Sequence, residues 1–132
     1  MDTQRLEEIA RTHGILLMLR FGSTVSGRTH PRSDLDIAVL LVQPALSLAA
    51  LADLTHDVQT LFPGQDVDLA VINHADPLFL KKITEQCSLL YGTPGRLLEL
   101  KCYAFRRYQD HRRYLAMEPD YLARTLRQTG GV

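Results

Sequence analysis

Apolar and polar residues alternate along the chain in blocks that change period several times. Residues Thr3 to Thr12 place Leu6, Ile9 and Ala10 at helical spacing, and His13-Gly14 closes that helix. Ile15 to Phe21 is almost continuously apolar, which predicts a strand covered on both faces. A turn with a short helix is expected over 22–26 and a loop rich in Gly, Thr, Pro and Ser over 27–33. A second strand, Asp34 to Val42, follows with the apolar run Ile37 to Val42.

From Leu46 to Phe62, Leu48, Leu51, Leu54, Val58 and Leu61 recur at intervals of three and four, predicting a helix with one apolar stripe. Pro63-Gly64 ends it, and Val67 to Ile72 reads as a third strand. Asp76 caps a helix over Pro77 to Gln86, and Ser88 to Tyr91 reads as a short edge strand. A long helix is expected from Arg96 to Ala116, interrupted near Pro119, with a final helix to Leu126. Strands alternating with helices predict an α/β (α+β) domain: a small mixed sheet flanked by helices.

Composition changes this picture little. The chain has 132 residues, 45% of them hydrophobic and 23% charged, which suits one domain with its own core. No apolar run reaches the roughly 20 residues needed to span a bilayer. The polar N-terminus is unlike a secretory signal, and Cys87 and Cys102 lack metal-site spacing, so a cytoplasmic protein is expected. Charge is balanced overall but unevenly placed. Residues 1–95 carry 7 Lys/Arg against 11 Asp/Glu, and residues 96–132 carry 8 against 4. A solvated basic face and an acidic protein partner both explain the second half; a nucleic-acid tail fits its dispersed pattern poorly.

The chemistry concentrates in residues 21–41, FGSTVSGRTHPRSDLDIAVLL in one-letter code. Asp34 and Asp36, two apart at the start of a strand, share one face. Two carboxylates so close repel each other, a cost that divalent cations between them relieve. Upstream, Gly22-Ser23 offers backbone that approaches a phosphate closely and a hydroxyl donor. Phosphate cradle, short loop and paired carboxylates are the parts of metal-assisted phosphoryl or nucleotidyl transfer. A third carboxylate would help hold two ions, and Asp66 or Asp68, at the start of the third strand, can supply it. His13, His30, His56, His74 and His111 show no ligand spacing. The tyrosines of the C-terminal helices, with Phe105 and Leu115, read mostly as packing and a subset as a docking surface for a partner, and Arg106-Arg107 and Arg112-Arg113 as a solvated face.

Gly-Ser, ten residues, then Asp-x-Asp resembles the signature of polymerase-beta-like nucleotidyltransferases. The short chain is most similar to their minimal branch (MNT), the antitoxins of HEPN/MNT toxin–antitoxin pairs. The resemblance implies a single catalytic domain with Asp34, Asp36 and Asp68 as catalytic and metal-binding residues. It also implies two Mg²⁺ ions, ATP as substrate, and Gly22 and Ser23 holding the terminal phosphates. Many relatives carry arginine directly after Gly-Ser; here Thr24-Val25 stand there, leaving Arg28 and Arg32 to substitute, with Lys81 and Lys82 as further phosphate candidates. The implied activity is transfer of AMP to a hydroxyl, a tyrosine, of a HEPN-type RNase toxin, neutralising it. Residues 1–95 would then be the catalytic core and 96–132 a segment for partner docking. Two alternatives stay open: nucleotidyl transfer to an aminoglycoside-type small molecule, and a non-catalytic antitoxin that acts by steric binding.

Overall fold

The structure, a computed structural model, describes residues 1–22 and 34–128, with side chains as far as Met117. Four strands form one mixed sheet in the order β3-β2-β1-β4. Strand β1 (Ile15–Phe21) pairs antiparallel with β2 (Leu35–Leu41) on one side and β4 (Cys87–Tyr91) on the other. Strand β3 (Val67–Val71) runs parallel to β2. A parallel pair needs a crossover, supplied here by helix α2 (Leu48–Gln59).

Helices cover both faces of the sheet. On one face, Leu6, Ile9 and Ala10 of α1 (Thr3–His13) and Leu54 and Val58 of α2 pack on Met18, Ile37 and Val39. On the other, Leu80 and Ile83 of α3 (Pro77–Glu85) and Leu100 and Ala104 of α4 (Pro94–Gln128) pack on Leu17, Leu19 and Ala38. This double cover is why β1 and β2 read as nearly unbroken apolar runs rather than as alternating ones.

Local chemistry sets the boundaries. The Asp2 carboxylate caps α1 by accepting from Gln4 N at 3.1 Å and Arg5 N at 3.2 Å. Gly14, at φ +65°, ends the helix in the left-handed conformation that glycine adopts without strain. The Asp76 carboxylate accepts from Leu78 N at 2.8 Å at the start of α3, with Pro77 in its first turn.

Three expectations need correction. The α2 stripe is shorter than five leucine-type positions: Leu54, Val58 and Leu61 are buried, but Leu48 is 84% and Leu51 37% exposed. Stepping back three residues turns a helix by about 60°, so Leu51 and Leu48 drift progressively off the core-facing line through Leu54. The C-terminal helix is also not interrupted at Pro119; helical backbone runs from Pro94 to Gln128. Proline removes one donor and crowds the preceding turn, which kinks or breaks a helix, and here the helix continues past it. Nor do the C-terminal aromatics mostly pack. Tyr103, Phe105, Tyr114 and Leu115 are exposed, while Tyr108 is half-buried against α3.

Candidate functional site

The sheet brings its acidic residues together at one end. Asp36 lies in β2, the second residue of the strand, and the parallel register sets it directly beside Asp68 of β3. Its antiparallel partner on β1 is Phe21, immediately before Gly22. Alternation sends Leu35, Ile37 and Val39 into the α1/α2 core and turns Asp36 to the α3/α4 face. Asp68 faces the same way, while Asp66 is exposed one residue before β3 and anchors the pair by accepting Leu35 N–H at 2.8 Å. Asp34 stands just ahead of β2, exposed, and close enough for its charge to bear on Asp36.

A cleft of about 570 Å³ opens over this end. Phe21, Gly22, Asp36, Asp68 and Ala70 form its sheet wall, and Phe79, Lys82 and Gln86 form the opposite wall. Phe21 and Phe79 meet edge to face across the corner, with ring centroids 6.0 Å apart and planes at 81°. On α3, Leu80, Ile83 and Thr84 turn inward. Phe79, Lys82 and Gln86 fall within about 60° of one another around the helix, on its cleft side.

Gly22 combines a backbone conformation that favours glycine with a close neighbour where a side chain would begin. Its φ is +82°, and a Cβ placed there would come nearer than 3.0 Å to Asp36 Oδ2. The backbone at the motif glycine therefore leaves no room for a side chain beside the carboxylate of the second motif aspartate.

Electrostatics mark Asp36 as the strained member. Its burial pushes the carboxyl pKa up, the neighbouring Asp68 and Asp34 charges push it further, and the Lys82 ammonium pulls it partly back. Among the described residues, no three acidic, histidine or cysteine side chains stand close enough together to grip a metal ion as they are placed. The donor set nevertheless suits a hard divalent cation: all-oxygen, with two carboxylates in register and a third close enough to raise the pKa of Asp36.

The lysine pair divides. Lys81 turns away from the cleft toward Glu85, which it pairs with, and toward the Tyr108 ring, 4.7 Å from its centroid. Lys82 lines the cleft. Sequence reasoning missed Phe79 and Gln86; their shared face with Lys82 on α3 was the available signal. It also missed the part-buried hydrogen bond at 2.7 Å between the His13 ring and Asp57, which ties α1 to α2. Ser23, Arg28, Arg32 and His30 lie outside the described residues.

Comparison with known proteins places this arrangement. The family model described as polymerase beta, nucleotidyltransferase, matches residues 4–94. The chain belongs to the polymerase beta nucleotidyltransferase family. Its matched span contains every cleft residue named above, from Phe21 to Gln86. A search of curated proteins finds no match.

Solved structures agree on the fold. A chain of a toxin–antitoxin structure with AMP-PNP superposes with TM-score 0.73 at 24% identity, covering 92% of this chain and 99% of that one. A chain from the complex of tri-AMPylated Shewanella oneidensis HEPN toxin with MNT antitoxin gives TM-score 0.65 at 22% identity, again over 92% and 99%. A chain of an MntA–HepT toxin–antitoxin structure gives 0.66 at 22%, over 90% and 95%. The fold of these chains thus covers nine-tenths or more of this one.

Proposed function

We propose that this chain is an MNT antitoxin that transfers AMP from ATP to a tyrosine hydroxyl of a HEPN-type RNase toxin and so neutralises it. The observation that carries the reading is the in-register pair Asp36–Asp68, with Gly22 beside Asp36, on the sheet wall of an open cleft. The matches to antitoxin complexes, one with an AMPylated toxin and one with a nucleotide analogue, support the acceptor and the donor.

In the proposed chemistry, the tyrosine oxygen attacks the α-phosphorus of ATP. The bond from that phosphorus to the bridging oxygen breaks, and pyrophosphate leaves. Asp68, exposed on the cleft, accepts the proton of the attacking hydroxyl. Gly22 N–H and Ser23 hold the terminal phosphates, with Arg28 as a further contact. Asp34, Asp36 and Asp68 would hold Mg²⁺, two ions in this reading, which when bound neutralises charge gathering on the phosphates. The raised pKa of Asp36 fits that role, since the repulsion behind it is what a bound cation removes.

A protein acceptor suits the outer surface of α4. Leu98, Phe105, Tyr114 and Met117 are each more than 60% exposed, large apolar side chains spread around α4 outside the packed positions Leu100 and Ala104. We assign residues 96–132 to partner docking and 1–95 to catalysis. No helix among the described residues is long and apolar enough to cross a membrane.

Asp36→Asn tests the proposal. Transfer of AMP to the toxin should fall by orders of magnitude while the toxin complex persists. Full neutralisation by the variant would instead identify an antitoxin that acts by steric binding.

A further inference from the structure

We propose that Lys82 is the phosphate-binding cation of this cleft, holding the triphosphate of the nucleotide from the α3 wall. The inference rests on the nucleotidyl-transfer reading and adds a residue outside the Gly-Ser and Asp-x-Asp motif.

A triphosphate placed against Asp36 and Asp68 needs positive charge from the protein as well as from bound cations. Among the described residues, Lys82 is the one lysine or arginine lining the cleft. Arg20 neighbours the site in sequence, but it alternates with Leu19 and Phe21, which face the α3/α4 side, and so lies on the opposite face of the sheet. Lys81 is held by Glu85 and Tyr108 on the far side of α3.

Lys82 by contrast makes no ion pair among the described residues. Its ammonium is exposed and faces the carboxylates that would carry the metal ions. The cleft wall beside it is apolar, built by the Phe21–Phe79 contact, so its field is less screened than that of a fully solvated lysine. Lysine suits this task as a compact point charge on a flexible stem that follows a phosphate chain as pyrophosphate departs. Its place in the last turn of α3 also lets it offset the negative end of the helix, which would otherwise repel the triphosphate.

The test is calorimetric binding of a non-hydrolysable ATP analogue with Mg²⁺, alongside adenosine, to the full chain and to Lys82→Gln, Lys82→Arg and Lys81→Gln. Lys82→Gln should weaken the analogue roughly ten- to a hundredfold, as expected for losing a charged hydrogen bond, and leave adenosine unchanged. Lys82→Arg should recover most of the loss, and Lys81→Gln should bind like the parent. Analogue affinity within twofold of the parent in Lys82→Gln would overturn the assignment. A parent chain that binds no nucleotide at all would overturn the nucleotidyl-transfer reading with it.

Discussion

Replacing Gly22 by alanine tests whether backbone and carboxylate are coupled at the site. Two costs add at this position. The first is the backbone: φ +82° lies in the left-handed region, which costs an L-residue about 1–2 kcal/mol. The second is steric, because the new Cβ collides with Asp36 Oδ2 and drives that carboxylate off its rotamer, at about 0.5–1.5 kcal/mol. Gly64 is the matched control, with φ +83° and nothing within 4 Å of its Cβ position. Urea unfolding should show Gly64→Ala destabilised by about 1–2 kcal/mol and Gly22→Ala by about 1.5–3.5 kcal/mol. Adding Asp36→Ala removes the obstacle, so the double-mutant cycle should return a coupling of about 0.5–1.5 kcal/mol. AMP transfer should fall far more in Gly22→Ala than its stability loss explains, because a displaced carboxylate mispositions the reacting groups. Equal costs at Gly22 and Gly64, or a cycle with no coupling, would refute the reasoning.

Two further predictions concern the frame around the cleft. Gln59 accepts Val67 N–H at 2.9 Å and donates to Phe62 O at 3.3 Å and to Gln65 O, pinning the start of β3 one residue before Asp68. Gln59→Ala should cost about 1–3 kcal/mol in unfolding free energy and reduce transfer with little change in nucleotide binding. The His13 hydrogen bond, opposed in part by burial, holds the Asp57 carboxyl below the usual carboxylate range. A depressed folded pKa stabilises above the unfolded value of about 3.9 and is lost as pH falls through the folded value. The stability difference between the parent and Asp57→Asn, measured by urea unfolding from pH 6 down to pH 2, should therefore shrink below about pH 4, from about 1 kcal/mol. A difference that grows on acidification would contradict the assignment.

How legible the molecule was follows from which forces are local. The strands around Phe21 and Asp36 showed themselves because burial on both faces forces continuous apolar runs, and caps such as Asp76-Pro77 act within one turn. That Asp36 faces away from Leu35 and Ile37 followed from strand alternation alone, whereas the strand expected to begin at Asp34 begins at Leu35 and leaves Asp34 just ahead of it. That Asp68 would stand beside Asp36 depends on the β2–β3 register, set by α2 and by packing across 32 residues, and only the family resemblance suggested it. The His13–Asp57 bond spans 44 residues and leaves no trace in periodicity. Lys82 was visible as one of two lysines, but which of them reaches the cleft depends on how α3 is rotated over the sheet, and Leu80 and Ile83 set that rotation. Most of the apolar surface of α4 reads as packing from the sequence because helical spacing marks a stripe without saying whether anything covers it. The exposed Phe105 and Tyr114 show that the body of this chain does not.

The most direct test of the central claim is the intact mass of the HEPN-type partner after incubation with ATP, Mg²⁺ and this chain, with Asp36→Asn in parallel. The account predicts mass gains in whole AMP units with the parent chain and none with the variant. A partner of unchanged mass that is still bound and silenced would contradict it.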